Sequence, residues 1–69
     1  MKITINGEEE TIEKDSLTII ELLTHKKVDM PEMVSVEYNG EMLDREKFDT
    51  QAVTDGDKVE FLYFMGGGQ

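Results

Sequence analysis

The chain has 69 residues, 38% of them hydrophobic, with no cysteine, one histidine and a formal net charge of -9. That length supports one small core rather than two, and the lack of cysteine excludes thiol catalysis, iron–sulfur ligation and a disulfide framework. Sixteen acidic residues against seven basic ones argue against nucleic acid or an anionic membrane surface as a partner and favour a basic docking surface, unless the charge serves solubility alone.

Residues 2–6 alternate, with Ile3 and Ile5 on one face and Lys2, Thr4 and Asn6 on the other, the period of a half-buried strand. Asn6-Gly7 suits a type I′ hairpin turn, which needs positive φ at both central positions. The return strand lies within residues 8–13, where only Thr11 and Ile12 favour strand, so an irregular or edge strand is expected. Residues 14–17 read as a polar connection. Thr18-Ile19-Ile20-Glu21 then fits a capping box that opens a helix. Its apolar stripe is Ile19, Leu22 and Leu23, with Lys26 roughly below them. Lys26 and Lys27 suit the negative end of the helix dipole, and Pro31 prevents further helix.

Val34, Val36 and Tyr38 alternate with Ser35 and Glu37 in a third strand, and a second Asn-Gly pair, Asn39-Gly40, turns it into the short segment Glu41-Met42-Leu43. Residues 44–53 are mostly polar and read as an ordered connection anchored by Phe48, with room for one helical turn. Asp55-Gly56-Asp57 marks a tight turn. Residues 58–65 are the most strand-like of the chain, and apolar residues on both faces predict a central place in the sheet. The predicted fold class is α+β, a mixed sheet of four to five strands packed on one helix. Its expected core is Ile3, Ile5, Ile19, Leu22, Leu23, Val34, Val36, Val59 and Phe61. A domain over residues 1–65 is followed by a flexible tail over residues 66–69.

No apolar run approaches the roughly 18 residues of a membrane span, and the chain starts in strand alternation rather than in a signal peptide, so a cytoplasmic location is expected. His25 has no second ligand at metal spacing, and neither Glu8-Glu9-Glu10 nor the Asp55/Asp57 pair matches a calcium loop, so no metal site is expected. If Val59 and Phe61 face the helix, alternation puts Glu60, Leu62 and Phe64 on the open face. There Leu62 and Phe64, rimmed by Glu37 and Glu60, would form a docking patch, unless a twist near the strand end turns Phe64 inward. The last strand runs into Gly66-Gly67-Gly68-Gln69. Glycine makes a slim, mobile tail able to enter a narrow channel, although three glycines alone also fit a frayed chain end.

From end to end the chain resembles the ThiS family of sulfur carriers, which are β-grasp relatives of ubiquitin. The resemblance rests on Met1-Lys2-Ile3-Thr4-Ile5-Asn6-Gly7-Glu8, Ile19-Ile20-Glu21-Leu22-Leu23, Val36-Glu37-Tyr38-Asn39-Gly40-Glu41, Asp55-Gly56-Asp57-Lys58-Val59-Glu60-Phe61 and the closing Phe64-Met65-Gly66-Gly67-Gly68. It implies a non-enzymatic carrier that binds no cofactor. A partner of the ThiF/MoeB adenylating type would use ATP to adenylate the carboxylate of Gly68, which becomes a thiocarboxylate. Gly66 and Gly67 would thread the channel, and the sulfur would pass to a thiazole synthase or another accepting enzyme. Gln69 departs from the pattern, because it ties the Gly68 carbonyl into a peptide bond, so a C-terminal peptidase is expected to act first. A ubiquitin-like protein modifier and a non-covalent interaction module remain the alternatives.

Overall fold

The computed structural model describes residues 1–63, and Phe64, Met65, the glycine tail 66–69 and the domain boundary expected at residue 65 lie outside them. Both Asn-Gly pairs form the turns their chemistry requires. Asn6 and Gly7 have φ of 52° and 85°, Asn39 and Gly40 have 53° and 91°, values that Asn tolerates and Gly adopts without cost. The first turn folds β1 (Lys2–Ile5) back onto β2 (Glu8–Thr11), and the second folds β4 (Val34–Tyr38) onto β5 (Glu41–Leu43).

The strand β7 (Lys58–Tyr63) lies between the two hairpins, parallel to β1 and antiparallel to β4, so the main sheet runs β2-β1-β7-β4-β5. β7 is therefore central and β2 is an edge strand, as the sequence predicts. Three consecutive glutamates on β2 charge that edge against pairing with other chains. With α1 (Ile19–His25) laid across one face, the arrangement is a β-grasp. All nine expected core residues are buried, and Ile12, Leu17, Phe48 and Val53 join them.

Two readings of the connections are corrected. Residues 14–17 are not merely polar linkage, because Leu17 is buried within β3 (Ser16–Thr18), and the connection before the last strand contains β6 (Ala52–Thr54). The two pair antiparallel as a separate small sheet, Leu17 opposite Val53. This gives the order β1-β2-β3-α1-β4-β5-β6-β7 instead of the simpler β-β-α-β-β-β. The segment before β6 also holds the helix start, since the backbone N–H groups of Ile19 and Ile20 donate to Gln51 O and Phe48 O at 3.1 and 2.9 Å. These are donors that the helix itself leaves unpaired.

The capping box forms as expected: Thr18 Oγ1 accepts from Glu21 N at 3.1 Å, and Thr18 N donates to Glu21 Oε1 at 2.9 Å. Pro31 does not end the helix, which stops at His25, and Pro31 opens a separate 3₁₀ turn, Pro31–Met33. The stop is a Schellman motif: Lys27, at φ 58°, donates to Thr24 O at 3.0 Å and Val28 donates to Leu23 O at 3.1 Å. Lys26 closes the helix and pairs with Glu10 of β2 across the side of the domain.

Candidate functional site

The candidate site lies on β7 and the strand beside it, β4. In the β4–β7 register, Val36 faces Phe61, Glu37 faces Glu60 and Ser35 faces Leu62. Directly opposed residues share a face of the sheet. Val34, Val36, Val59 and Phe61 are buried under the helix, so Ser35, Glu37, Glu60 and Leu62 lie on the open face, each half-buried. Met42 of β5 pairs with Glu37 and extends this face. At 60% exposure it is the most open large apolar side chain among the described residues. Its opposition to Glu37 is what places Met42 on this face.

Three of the four residues expected to form a docking patch, Leu62, Glu60 and Glu37, thus come together, and the fourth, Phe64, lies outside the described residues. Glu37 and Glu60 are like charges in direct cross-strand opposition, which disfavours the pairing. Among the described residues the one ion pair in contact is Lys26 with Glu10, so neither carboxylate is neutralised there. An acidic centre flanked by Leu62 and Met42 complements a surface that offers both a cation and apolar contact.

The rest of β7 is held by polar contacts. Asp57, just before the strand, accepts from the Tyr38 hydroxyl at 2.6 Å, from Thr54 N at 2.9 Å and from Asn39 Nδ2 at 3.3 Å. Burial alone would raise the Asp57 pKa, but these donors outweigh it and hold the carboxyl below its ordinary value. The Tyr38 hydroxyl is pushed up, first by its hydrogen bond to Asp57 and then by burial and the carboxylate's charge. The set latches the β4–β5 turn to the turn before β7, and it is not a reactive constellation.

No group of three or more His, Cys, Asp or Glu side chains suited to holding a metal occurs among the described residues, and His25 is exposed in the last helical turn. No polar or charged side chain among them is buried. Of two clefts, one of about 350 Å³ is lined by Tyr38, Glu41, Asp44 and Lys47 and one of about 450 Å³ by Lys14, Glu21, Thr24 and His25. In the second, Glu21 Oε1 accepts from Thr18 N and Thr24 Oγ1 donates to Ile20 O, and among the described residues no hydrogen bond joins either to His25. Gly66, Gly67 and Gly68 lie outside the described residues, as does Gln69, but residues 64–69 continue directly from β7.

The model of the ThiS family matches residues 2–68. The chain belongs to the ThiS family. Of the similar proteins, the sulfur carrier protein ThiS of Bacillus subtilis (strain 168) is 32% identical over 66 residues, covering 96% of this chain and 98% of that one. A thiazole synthase of Paramagnetospirillum magneticum (strain ATCC 700264 / AMB-1) is 43% identical over 68 residues, which make up 99% of this chain and 20% of that protein's length. The crystal structure of a thiamine biosynthesis protein, ThiS, from Geobacter metallireducens superposes with a TM-score of 0.89 at 55% identity, over 99% of this chain and all of that one. A solution NMR structure of a thiamine biosynthesis protein from the same organism gives 0.83 at 54% identity, over 100% of this chain and 90% of that one. The ThiS-family match ends on Gly68 and leaves Gln69 outside.

Among the described residues, no helix is long and apolar enough to cross a membrane.

Proposed function

We propose that this chain is a sulfur carrier for thiamin thiazole formation, with Gly68 as the residue that carries the sulfur. The observation that carries this reading is the collinear match to the ThiS family over residues 2–68, supported by likeness over nearly full length to a protein named as a sulfur carrier. The thiazole synthase whose length includes a stretch resembling this whole chain supports such a synthase as the accepting partner.

The chemistry follows from the carboxylate being a poor acyl donor. Attack of the Gly68 carboxylate on the α-phosphorus of ATP, in the active site of an adenylating enzyme of the ThiF/MoeB type, gives an acyl adenylate and releases pyrophosphate. A persulfide sulfur then displaces AMP at the acyl carbon, and cleavage of the S–S bond by a thiol leaves the thiocarboxylate and a disulfide. The carrier contributes the acyl carbon, the slim approach of Gly66 and Gly67, and the docking patch of Leu62, Phe64, Glu60 and Glu37. The adenylating enzyme contributes ATP binding and catalysis, so the carrier is a substrate and binds no cofactor itself. Gln69 must first be removed by a peptidase, because its peptide bond leaves Gly68 without a carboxylate.

The test is the intact mass of the 69-residue chain and of a form ending at Gly68, each given ATP, the adenylating enzyme and a sulfur donor. The trimmed form should gain about 16 Da, one oxygen exchanged for sulfur by acyl substitution. The longer form should stay unchanged until a peptidase is added. Equal charging of both would overturn the processing step, and a trimmed form that is never charged would overturn the carrier reading in favour of an interaction module.

A further inference from the structure

Asn6 makes two contacts to the last strand, and only one belongs to its turn. Its backbone N–H donates to Val59 O at 3.0 Å, the last backbone rung between β1 and β7. Its side-chain Oδ1 then accepts from Phe61 N at 2.8 Å, across 55 residues of sequence. β1 has ended at Ile5 and the chain is turning away into β2. The side-chain carbonyl therefore stands where the next backbone carbonyl of β1 would have been and extends the ladder by one rung. Positive φ alone does not require this acceptor, since glycine adopts that backbone at no steric cost. The second turn offers a comparison within the same molecule: Asn39 Oδ1 accepts from Lys58 N at 2.8 Å and Asn39 N donates to Lys58 O at 2.7 Å. Both turn asparagines grip β7, one at its first residue and one towards its end.

We propose that Asn6 is a positioning residue for the glycine tail: by holding Phe61 on the edge of β7 away from β4, it fixes the direction in which the chain leaves the sheet toward Gly68. This rests on the sulfur-carrier reading. Beyond Val59 no β1 residue pairs with β7, while β4 continues beside it to Val34 opposite Tyr63. Without the Asn6 side chain the strand would be held there from one side only. From Tyr63 to Gly68 is five residues, a reach of at most about 18 Å, so the place and direction in which β7 ends bias the region within reach of the Gly68 carboxylate. A root held from one side only makes the productive placement of that carboxylate rarer, which lowers turnover more than it lowers docking.

The test uses chains ending at Gly68 with Asn6→Gly, Asn6→Asp or Asn39→Gly, the adenylating enzyme, and pyrophosphate release read as separate kcat and KM, together with hydrogen exchange of the Phe61 amide in the carrier alone. Asn6→Gly keeps the turn and loses the acceptor. It should speed Phe61 exchange and lower kcat about threefold to tenfold with KM unchanged. Asn6→Asp, which retains an acceptor oxygen, should restore most of the kcat. Asn39→Gly loses the matching contact at Lys58, ten residues before Gly68, and should leave kcat near the parental value whatever it does to stability. Parental kcat in Asn6→Gly, no rescue by Asn6→Asp, or an equal loss in Asn39→Gly overturns the positioning role. If the unmutated chain is not adenylated at all, the carrier reading fails instead; the Phe61 amide then decides the clamp, which unchanged exchange in Asn6→Gly would overturn.

Discussion

Lys27 sits where the helix needs a left-handed residue. At φ 58° it is a non-glycine residue in a conformation that costs L-residues roughly 1–2 kcal/mol, and it is kept there by the Schellman bonds and by Val28, which packs against the core. Lys27→Gly should relieve that strain and raise stability by about 0.5–1 kcal/mol, readable as a higher urea midpoint with the slope unchanged. A fall in midpoint would mean that the lysine side chain makes a stabilising contact outweighing the strain. Asp57 contributes to the pH dependence of the domain. Its folded pKa lies below the unfolded one, so its contribution is complete above the unfolded value of about 3.9 and is lost as pH falls through the lowered value. Asp57→Asn should therefore be less stable than the parent at pH 7, with the two curves converging in acid. Curves that stay parallel down to pH 2 would assign the acid sensitivity to other carboxylates.

Which elements were legible in the sequence follows from their length and from how local their signals are. The two hairpins, the capping box and the central strand are each specified by neighbouring residues: Asn-Gly with alternation on both sides, Thr18 with Glu21, and the apolar run of β7. β3 and β6 have three residues each, too few to show a period, and their partners lie more than 30 residues apart in sequence, so nothing local announces the pairing. Lys27 hid the helix end because Gly is the usual signal at that position, leaving Pro31 as the visible stop. The glycine tail was legible as composition, whereas the Asn6 contact to Phe61 is long-range and no sequence pattern carries it. The helix face itself was readable, and Leu22, fully buried among the core side chains, tests it. Leu22→Ala should cost about 2–5 kcal/mol through lost burial and a residual cavity, much of what so small a core can supply. A calorimetric midpoint within error of the parent would show that the site collapses without loss.

At the scale of the whole molecule, a net charge of -9 is spread over a domain whose open sheet face sets Glu37 directly against Glu60. Neutral residues at those positions would suit the isolated fold better, since opposed like charges weaken a cross-strand pair by roughly 0.2–1 kcal/mol. Their placement between Leu62 and Met42 makes sense if a basic partner surface neutralises them during docking, while the surrounding negative field draws that partner in. Glu37→Gln with Glu60→Gln should then act in opposite directions on two measurements. In low salt the double variant should unfold at a higher denaturant concentration than the parent, and the gain should shrink as salt screens the repulsion. Its association with the adenylating enzyme, followed by stopped flow, should be slower at low salt and less dependent on ionic strength, because two of the charges that steer the encounter are gone. A variant that is more stable yet associates at the parental rate across the salt series would locate the docking surface elsewhere on the domain. One that is less stable would mean that Glu37 and Glu60 make stabilising contacts outweighing their mutual repulsion, and the argument from uncompensated charge on this face would fail with it.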